Sequence, residues 1–561
     1  MSKEKFFWLE HYPEDVPRYL EIPDVPLFDF LEQTAQKYPS NAALIFMGLK
    51  MSYIQLKDNV DRFATALHSL GVKKGDRVAI MLPNCPQAVI AYYAVIRLGA
   101  LAVMTNPLYM NRELSHQLKD SGAETIIFLD ALHTKVLDVV MDTAVTNLVV
   151  TGIQDYLPFP LNFLYPIKAK KQGQDLDLPA DKGLHKFKNL IKSYPPSPPK
   201  VEIHPENDLA LLQYTGGTTG VSKGAMLTHK NLVANVLQVK SWMPGCVVGG
   251  ERLLGALPFF HVFGMTVVMN MAVNNGSSMI LIPRFNVKDV LKQINKYKPT
   301  IFPGAPTMYV AIISHPEVKK YDISSIKACI SGAAPLPVEV QEKFESMTGG
   351  KLVEGYGLTE SSPVTHCNPI YGKRVSGSIG QPLPNTNVKI MDSEEGTEEM
   401  PQGEVGELCV KGPQVMKGYW NMPGETAKTI RDGWLYTGDM AWIGKDGFTY
   451  IVDRKKDMVI AGGYNIYPRE VEEVLYEHPK VKEVVVAGVP DSYRGETLKA
   501  YCVLKEGESA GDKEIIDFCK QNLAKYKVPR MIEFREELPK TMVGKILRRV
   551  LVEEEKAKIK E

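Results

Sequence analysis

Between Leu27 and Thr151 helical and strand patterns take turns, and this alternation limits the possible folds more than any other feature of the chain. Leu56 to Leu70 carries apolar residues at helical spacing and stops at Gly71. Arg77-Val-Ala-Ile-Met-Leu follows as a buried strand, Ala88 to Leu98 as a helix ending before Gly99, and Glu124-Thr-Ile-Ile-Phe-Leu as another short strand. Parallel strands need helical crossovers, so this rhythm predicts a largely parallel sheet with helices on both faces. A second α/β region is expected from Asp208 to about Ile390, with a small β subdomain around Gly403–Gly412.

At 561 residues the chain exceeds what one hydrophobic core usually holds. After Asp453-Arg-Lys-Lys-Asp457, read as a charged exposed linker, a compact α+β domain is expected. It holds helices near Pro468–Glu477 and Lys513–Asn522, strands at Val481–Val489 and Leu498–Leu504, and a final basic helix. The fold class is therefore α/β: two α/β sheet subdomains and a small β subdomain in residues 1–455, then an α+β domain in 456–561.

The 66 basic and 65 acidic residues leave a formal charge of +1, which argues against a nucleic-acid partner. Seven cysteines, an odd number without a CxxC pair, give neither a disulfide framework nor a zinc site. The first residues lack a signal peptide's apolar core, so the cytoplasm is the expected compartment. Leu253 to Val273 is uncharged over about the length of a membrane span, but Pro258, His261, Gly264 and Asn270 point to a buried core segment. Residues 152–200 interrupt the rhythm and read as a surface insertion with a Pro-rich exit. Within it, aromatics beside Lys168, Lys170 and Lys171 in residues 156–171 suit peripheral contact with the inner membrane face.

The run Tyr214-Thr-Gly-Gly-Thr-Thr-Gly-Val-Ser-Lys-Gly224 follows the apolar Leu209-Ala-Leu-Leu. Its glycines let backbone N–H groups converge on phosphate oxygens, and Lys223 adds positive charge. It is not a Walker loop, which needs Gly before the Lys and Ser or Thr after it; here Ser222 precedes and Gly224 follows.

With this run, the chain resembles the adenylate-forming superfamily over nearly its whole length. Further matching runs are Ser331-Gly-Ala-Ala-Pro, Glu354-Gly-Tyr-Gly-Leu-Thr-Glu360, Gly433-Trp-Leu-Tyr-Thr-Gly-Asp439, Asp453-Arg-Lys-Lys-Asp-Met and Pro539-Lys-Thr-Met-Val-Gly-Lys545. Among that superfamily it is most similar to bacterial long-chain fatty acid–CoA ligases, through Lys411-Gly-Pro-Gln-Val-Met, Ile451–Met458 and Val543-Gly-Lys-Ile-Leu-Arg-Arg.

The resemblance implies ATP and coenzyme A as co-substrates, Mg²⁺ as cofactor and a fatty acid as the substrate. Thr215, Gly216, Gly217, Thr218, Thr219, Gly220 and Lys223 would hold phosphates, with Thr215 and Glu360 positioning the metal. Gly332, Ala333 and Ala334 would let adenine lie against the backbone with Tyr356 stacked on its face, Glu354, Gly355 and Gly357 would belong to the same nucleotide site, Thr359 would bond the α-phosphate, and Asp439 with Arg454 the ribose. Lys545 would bridge the carboxylate and α-phosphate in adenylation. Lys456 would be the hinge of a mobile C-terminal domain, and Gly462, Gly463 and Tyr464 would line the coenzyme A passage. Phe260, His261, Gly264 and Gly304 would line the acid pocket, the glycines leaving room, with Trp242 as a candidate gate. The alternatives are a ligase for medium-chain or aromatic acids, a luciferase-like enzyme, and a non-catalytic acyl-nucleotide-binding protein. A homodimer stays open.

Overall fold

The computed structural model describes residues 6–178, 183–215, 222–393, 395–461, 464–491, 495–541 and 544–560. The chain divides into two compact units. Residues 12–386 and 411–433 form the larger; residues 387–410 and 434–561, with the N-terminal turn Phe7–His11, form the smaller.

In the larger unit one sheet runs in the order Gly418–Tyr419, Lys223–Thr228, Leu209–Thr215, Leu101–Met104, Arg77–Met81, Thr125–Leu129, Asn147–Thr151, Leu184–Lys186. From Leu209–Thr215 onward the pairings are parallel, whereas Lys223–Thr228 and Gly418–Tyr419 join antiparallel. A second sheet runs Leu49–Ser52, Ala42–Phe46, Ser278–Leu281, Arg252–Gly255, and bridges at Ile301 carry it on to Ala328–Ser331 and Lys351–Gly357. The expected division at residue 208 is thus corrected: Ala42–Phe46 leaves the first region for the second sheet, and Leu209–Thr215 pairs back onto the first. Hydrogen-bond partners far along the chain, not adjacency, decide sheet membership.

The helix Tyr53–Ser69 shows why the local patterns hold. Ser52 accepts from the Gln55 N–H while Gln55 accepts from the Ser52 N–H at 2.9 Å, a reciprocal cap that satisfies two end donors. Leu56, Val60, Phe63 and Leu67 then share one buried face, and Gly71 (φ 96°) ends the segment. Pro86–Arg97 is buried on nearly every side, as a helix inside a large unit can be. Each Val or Ile it buries contributes roughly 1.5–3 kcal/mol.

The charge-free stretch ending at Val273 is core, as expected. Residues 262–275 form a buried helical segment with a wider π-type turn at Met265–Asn270. Two of its buried polar side chains are matched: Asn270 Oδ1 accepts from Tyr93 at 2.9 Å, and Thr266 Oγ1 donates to the Ser362 carbonyl at 2.7 Å. Among the described residues no helix is long and apolar enough to cross a membrane.

The insertion reading of 152–200 holds for part of that stretch only. Leu184–Lys186 is the outermost strand of the first sheet, and Phe187–Ser193 buries Phe187, Leu190 and Ile191. Phe187 meets Phe63 with ring centroids 4.2 Å apart.

In the smaller unit, Asn387–Met391, Gly406–Lys411, Trp434–Ile443 and Thr449–Arg454 make the expected β subdomain. Beyond it Val481–Asp491 and Gly495–Leu504 form a long antiparallel pair, with Val459–Ala461 and Met531–Phe534 alongside and helices at Pro468–Tyr476, Asp512–Asn522 and Arg548–Lys560. All seven cysteines are free thiols. The exposed-linker reading of 453–457 needs correction at its first residue: Asp453 is buried and accepts from the Arg469 N–H at 2.8 Å, whereas Arg454, Lys455 and Asp457 are half-buried and Lys456 is exposed.

Candidate active site

In the larger unit the Ser331 and Glu354 runs meet Gly304 at the carboxyl ends of parallel strands, where α/β sheets place ligands. Ser331 pairs with Glu354 across neighbouring parallel strands, and Gly304 bridges to Ser331 from the other side. The Gly332 N–H donates to the Gly304 carbonyl at 3.1 Å. A Cβ on Gly332 would meet the Phe263 ring at 2.9 Å, one on Gly355 the Ile330 side chain at 2.9 Å, and one on Gly357 the Pro363 carbonyl at 2.0 Å. These glycines therefore exist for close packing of the chain on itself. Ala333, exposed, holds a left-handed φ of 71°, a conformation a side chain adopts at a cost.

Tyr356 stands on the same strand end with its ring edge-on to His366, centroids 5.9 Å apart. His366 is fully buried, and burial pushes its imidazole down to about 3, so it is a neutral brace. Glu354 accepts from the Leu336 N–H at 3.3 Å.

The phosphate run begins on the strand Leu209–Thr215 and ends on Lys223–Thr228, with Thr215 directly opposite Lys223. Gly216, Gly217, Thr218, Thr219 and Gly220 lie outside the described residues. Lys223 Nζ is 2.5 Å from Glu425 and 5.1 Å from the centroid of the Tyr419 ring. Tyr419 pairs with Ala225 in the next strand, and its hydroxyl donates to Glu360 Oε1 at 2.7 Å. The Met416 N–H donates to the Glu360 carbonyl at 2.8 Å, fixing the backbone as well. Thr215, Lys223, Tyr419 and Glu360 thus belong to one constellation. Lys223, followed by Lys428, pulls the Glu425 carboxyl down to about 2. Burial and then the Glu360 carboxylate push the Tyr419 phenol well up, so it remains a donor. Sequence reasoning missed Tyr419 and Glu425: they come from a distant segment with no spacing relation to the glycine–threonine run.

Phe260 is buried and His261 half-buried, and burial lowers the His261 imidazole to about 4. The room expected at Gly264 is already taken, since a Cβ there would lie 2.5 Å from the Pro258 carbonyl; at Gly304 it would meet the Tyr309 ring at 3.0 Å. Trp242 is buried and packs edge-on against Tyr12, centroids 5.1 Å apart.

The smaller unit brings Asp439, Arg454 and Lys545 together. Asp439 and Arg454 face each other across antiparallel strands, Arg454 Nε lying 3.3 Å from Asp439 Oδ1. Lys545 follows Gly544 (φ 78°), and its carbonyl accepts from the Thr541 N–H at 2.8 Å, closing a tight loop. Burial, with Arg454 beside it, lowers the Lys545 ammonium from 10.5 to about 8, and Asp439 partly offsets this. Lys456 is exposed. Gly462 and Gly463 lie outside the described residues, while the Tyr464 backbone pairs with Ala461.

Comparison with known proteins places this arrangement. Residues 31–420 match the family described as AMP-binding enzyme, and residues 470–545 its C-terminal domain. A long-chain-fatty-acid–CoA ligase of Bacillus subtilis is 52% identical over 98% of both chains, and one from Escherichia coli is 41% identical over 99% of both. ATP-bound MatB from Rhodopseudomonas palustris superposes with a TM-score of 0.84 at 30% identity, over 95% of this chain and 99% of that one. The anthranilate CoA ligase AuaEII in complex with anthranoyl-AMP gives 0.86 at 28% identity, over 97% and 99%. The chain belongs to the AMP-binding enzymes of the adenylate-forming superfamily.

Proposed function

We propose that this chain joins a long-chain fatty acid to coenzyme A through an acyl-adenylate. Family membership supports the reaction type. The observation that carries it to these residues is the Tyr419 bridge, which ties Glu360 to the strand of Lys223 and so unites two distant motif runs. In the first step a carboxylate oxygen forms a bond to the α-phosphorus of ATP while the bond to the β-phosphate oxygen breaks and pyrophosphate leaves. In the second the coenzyme A sulfur attacks the acyl carbon and AMP departs.

Both reactants of the first step are anions, so positioning and charge neutralisation dominate. Thr215, Thr218, Thr219 and Lys223 are assigned to the leaving phosphates, with Gly216, Gly217 and Gly220 exposing backbone donors. Lys223 would exchange Glu425 for phosphate. Gly332, Ala333, Ala334 and Gly355 to Gly357 are assigned to adenine, Thr359 to the α-phosphate, and Asp439 and Arg454 to the ribose. The Thr215 hydroxyl and the Glu360 carboxylate are hard oxygen donors of the kind Mg²⁺ takes, and few protein ligands suit an ion that shares phosphate oxygens. When bound, Mg²⁺ would supply further neutralisation. Phe260 and the neutral His261 support an apolar acid site, where each buried methylene contributes roughly 0.8 kcal/mol. Lys456 is proposed as the hinge between the two steps, which divides the chain into 1–455 and a mobile 456–561, with Gly462 to Tyr464 at the coenzyme A passage.

The exposed face before and along the helix Leu161–Lys171 supports a peripheral membrane contact. Phe159 is 81% exposed, Phe163 67%, Leu164 54% and Ile167 56%, and Lys168 and Lys171 are exposed beside them.

ATP-dependent thioester formation should rise with acid length while AMP and pyrophosphate appear together; a preference for short or aromatic acids would move the substrate class, and ADP release would overturn the mechanism. Lys545→Ala should slow acyl-adenylate formation by about 10²–10³-fold and spare thioester formation from supplied acyl-AMP. Because the cationic lysine is the working form, kcat/KM for ATP in the wild type should fall as pH rises through about 8; a flat profile through that range, or unimpaired adenylation in the variant, counts against Lys545. Serine at 159, 163, 164 and 167 should abolish co-sedimentation with anionic vesicles and keep ligase activity on soluble acids; equal co-sedimentation removes the membrane face.

A further inference from the structure

One cluster of charged side chains lies outside every role assigned so far. Arg548, only three residues beyond Lys545, is 2.7 Å from Glu472, 2.8 Å from Asp457 and 3.6 Å from Asp453. Its side chain is 18% exposed and those of Asp453 and Glu472 are 5% and 15% exposed, so these charges are largely withdrawn from water. A buried carboxylate is held only where donors compensate it. Asp453 has three: the Arg454 N–H at 2.7 Å, the Arg469 N–H at 2.8 Å and the Arg548 guanidinium.

The order of these residues along the chain separates them into two groups. Asp453 is next to last in the strand Thr449–Arg454 of the β subdomain and precedes Lys456. Asp457, Arg469, Glu472, Lys545 and Arg548 all follow it. Arg548, Asp457 and Glu472 can therefore move as one body about Lys456, whereas the contacts of Asp453 with Arg469 and Arg548 must break.

We propose that Asp453 is a positioning residue that clamps the Lys545 segment for acyl-adenylate formation, and that its release accompanies the passage to thioester formation. This rests on the hinge reading of Lys456. The clamp acts through Arg548, the first residue of the helix Arg548–Lys560 and three residues along the chain from the working lysine, and touches no substrate. Its strength sets how the enzyme divides its time between the two half-reactions, since a contact made in one conformer alone shifts the equilibrium by its full differential energy.

The test uses the full-length enzyme and two separate assays, ATP–pyrophosphate exchange and thioester formation from supplied acyl-AMP. Asp453→Asn retains an acceptor for the Arg469 N–H but loses the charge facing Arg548. It should lower exchange about tenfold while thioester formation is unchanged or faster. Glu472→Gln weakens a pair that stays within the moving body, so it should lower the melting temperature and leave the ratio of the two rates alone. Arg548→Lys keeps a cation, but a single ammonium paired with Asp457 or Glu472 has no second arm for Asp453; it should shift the ratio in the same direction as Asp453→Asn and serves if that variant folds poorly. Lys456→Pro should keep exchange and lose thioester formation. If it does so and neither Asp453→Asn nor Arg548→Lys moves the ratio, the clamp is wrong; if Lys456→Pro loses both activities or neither, the hinge is wrong instead.

Discussion

A fatty carboxylate and a triphosphate repel one another, and the chain must gather cations to join them without letting those cations disrupt the fold. At an effective dielectric of about 20, two unit charges about 4 Å apart interact by about 4 kcal/mol. The cations with site roles are each restrained by an acidic group from elsewhere in the chain. Lys223 rests between Glu425 and the face of Tyr419. Arg454 faces Asp439, and Lys545 lies in the field of both. Such pairs gain little stability at a surface but hold a cation where a phosphate can take over the anion's place.

The backbone makes a second demand. Four glycines, at 304, 332, 355 and 357, sit where a methyl group would strike a ring, a side chain or a carbonyl. They allow strand ends to close up until Gly332 hydrogen-bonds Gly304, which leaves the strained Ala333 exposed at the rim. Small residues in the Ser331 run were expected to admit adenine. Their nearer physical task is to let three segments converge, and an accessible rim is the result of that convergence.

What could be read from the sequence was what is local. Helices Tyr53–Ser69 and Pro86–Arg97 announce themselves through apolar spacing and a glycine beyond the end, and the C-terminal strand Val481–Asp491 through its run Val484-Val-Val-Ala. The membership of Ala42–Phe46 and Leu209–Thr215 in their sheets was hidden, because strand pairing depends on partners more than 200 residues away in the first case, Ser278–Leu281, and on Leu101–Met104 in the second. Leu184–Lys186 was lost for another reason: three residues beside a Pro-rich exit carry almost no strand signal. The site divides in the same way. Thr215, Lys223 and Glu360 stand in compact runs of unusual composition, whereas Tyr419, Glu425 and His366 are ordinary residues until the fold sets them against those runs.

The lowered basicity of Lys545 links these points. Burial, with Arg454 beside it, brings the lysine's ammonium down to about 8. Its backbone is held where the Thr541 N–H meets the Lys545 carbonyl. Anionic phosphates at the amine would favour the charged form, so on the proposed reading nucleotide binding draws a proton onto Lys545 by simple linkage. The working charge is then largest when the triphosphate is present and smaller once pyrophosphate has left. A cation that weakens after its step is easier to withdraw, which is what a residue needed in only one of two half-reactions requires.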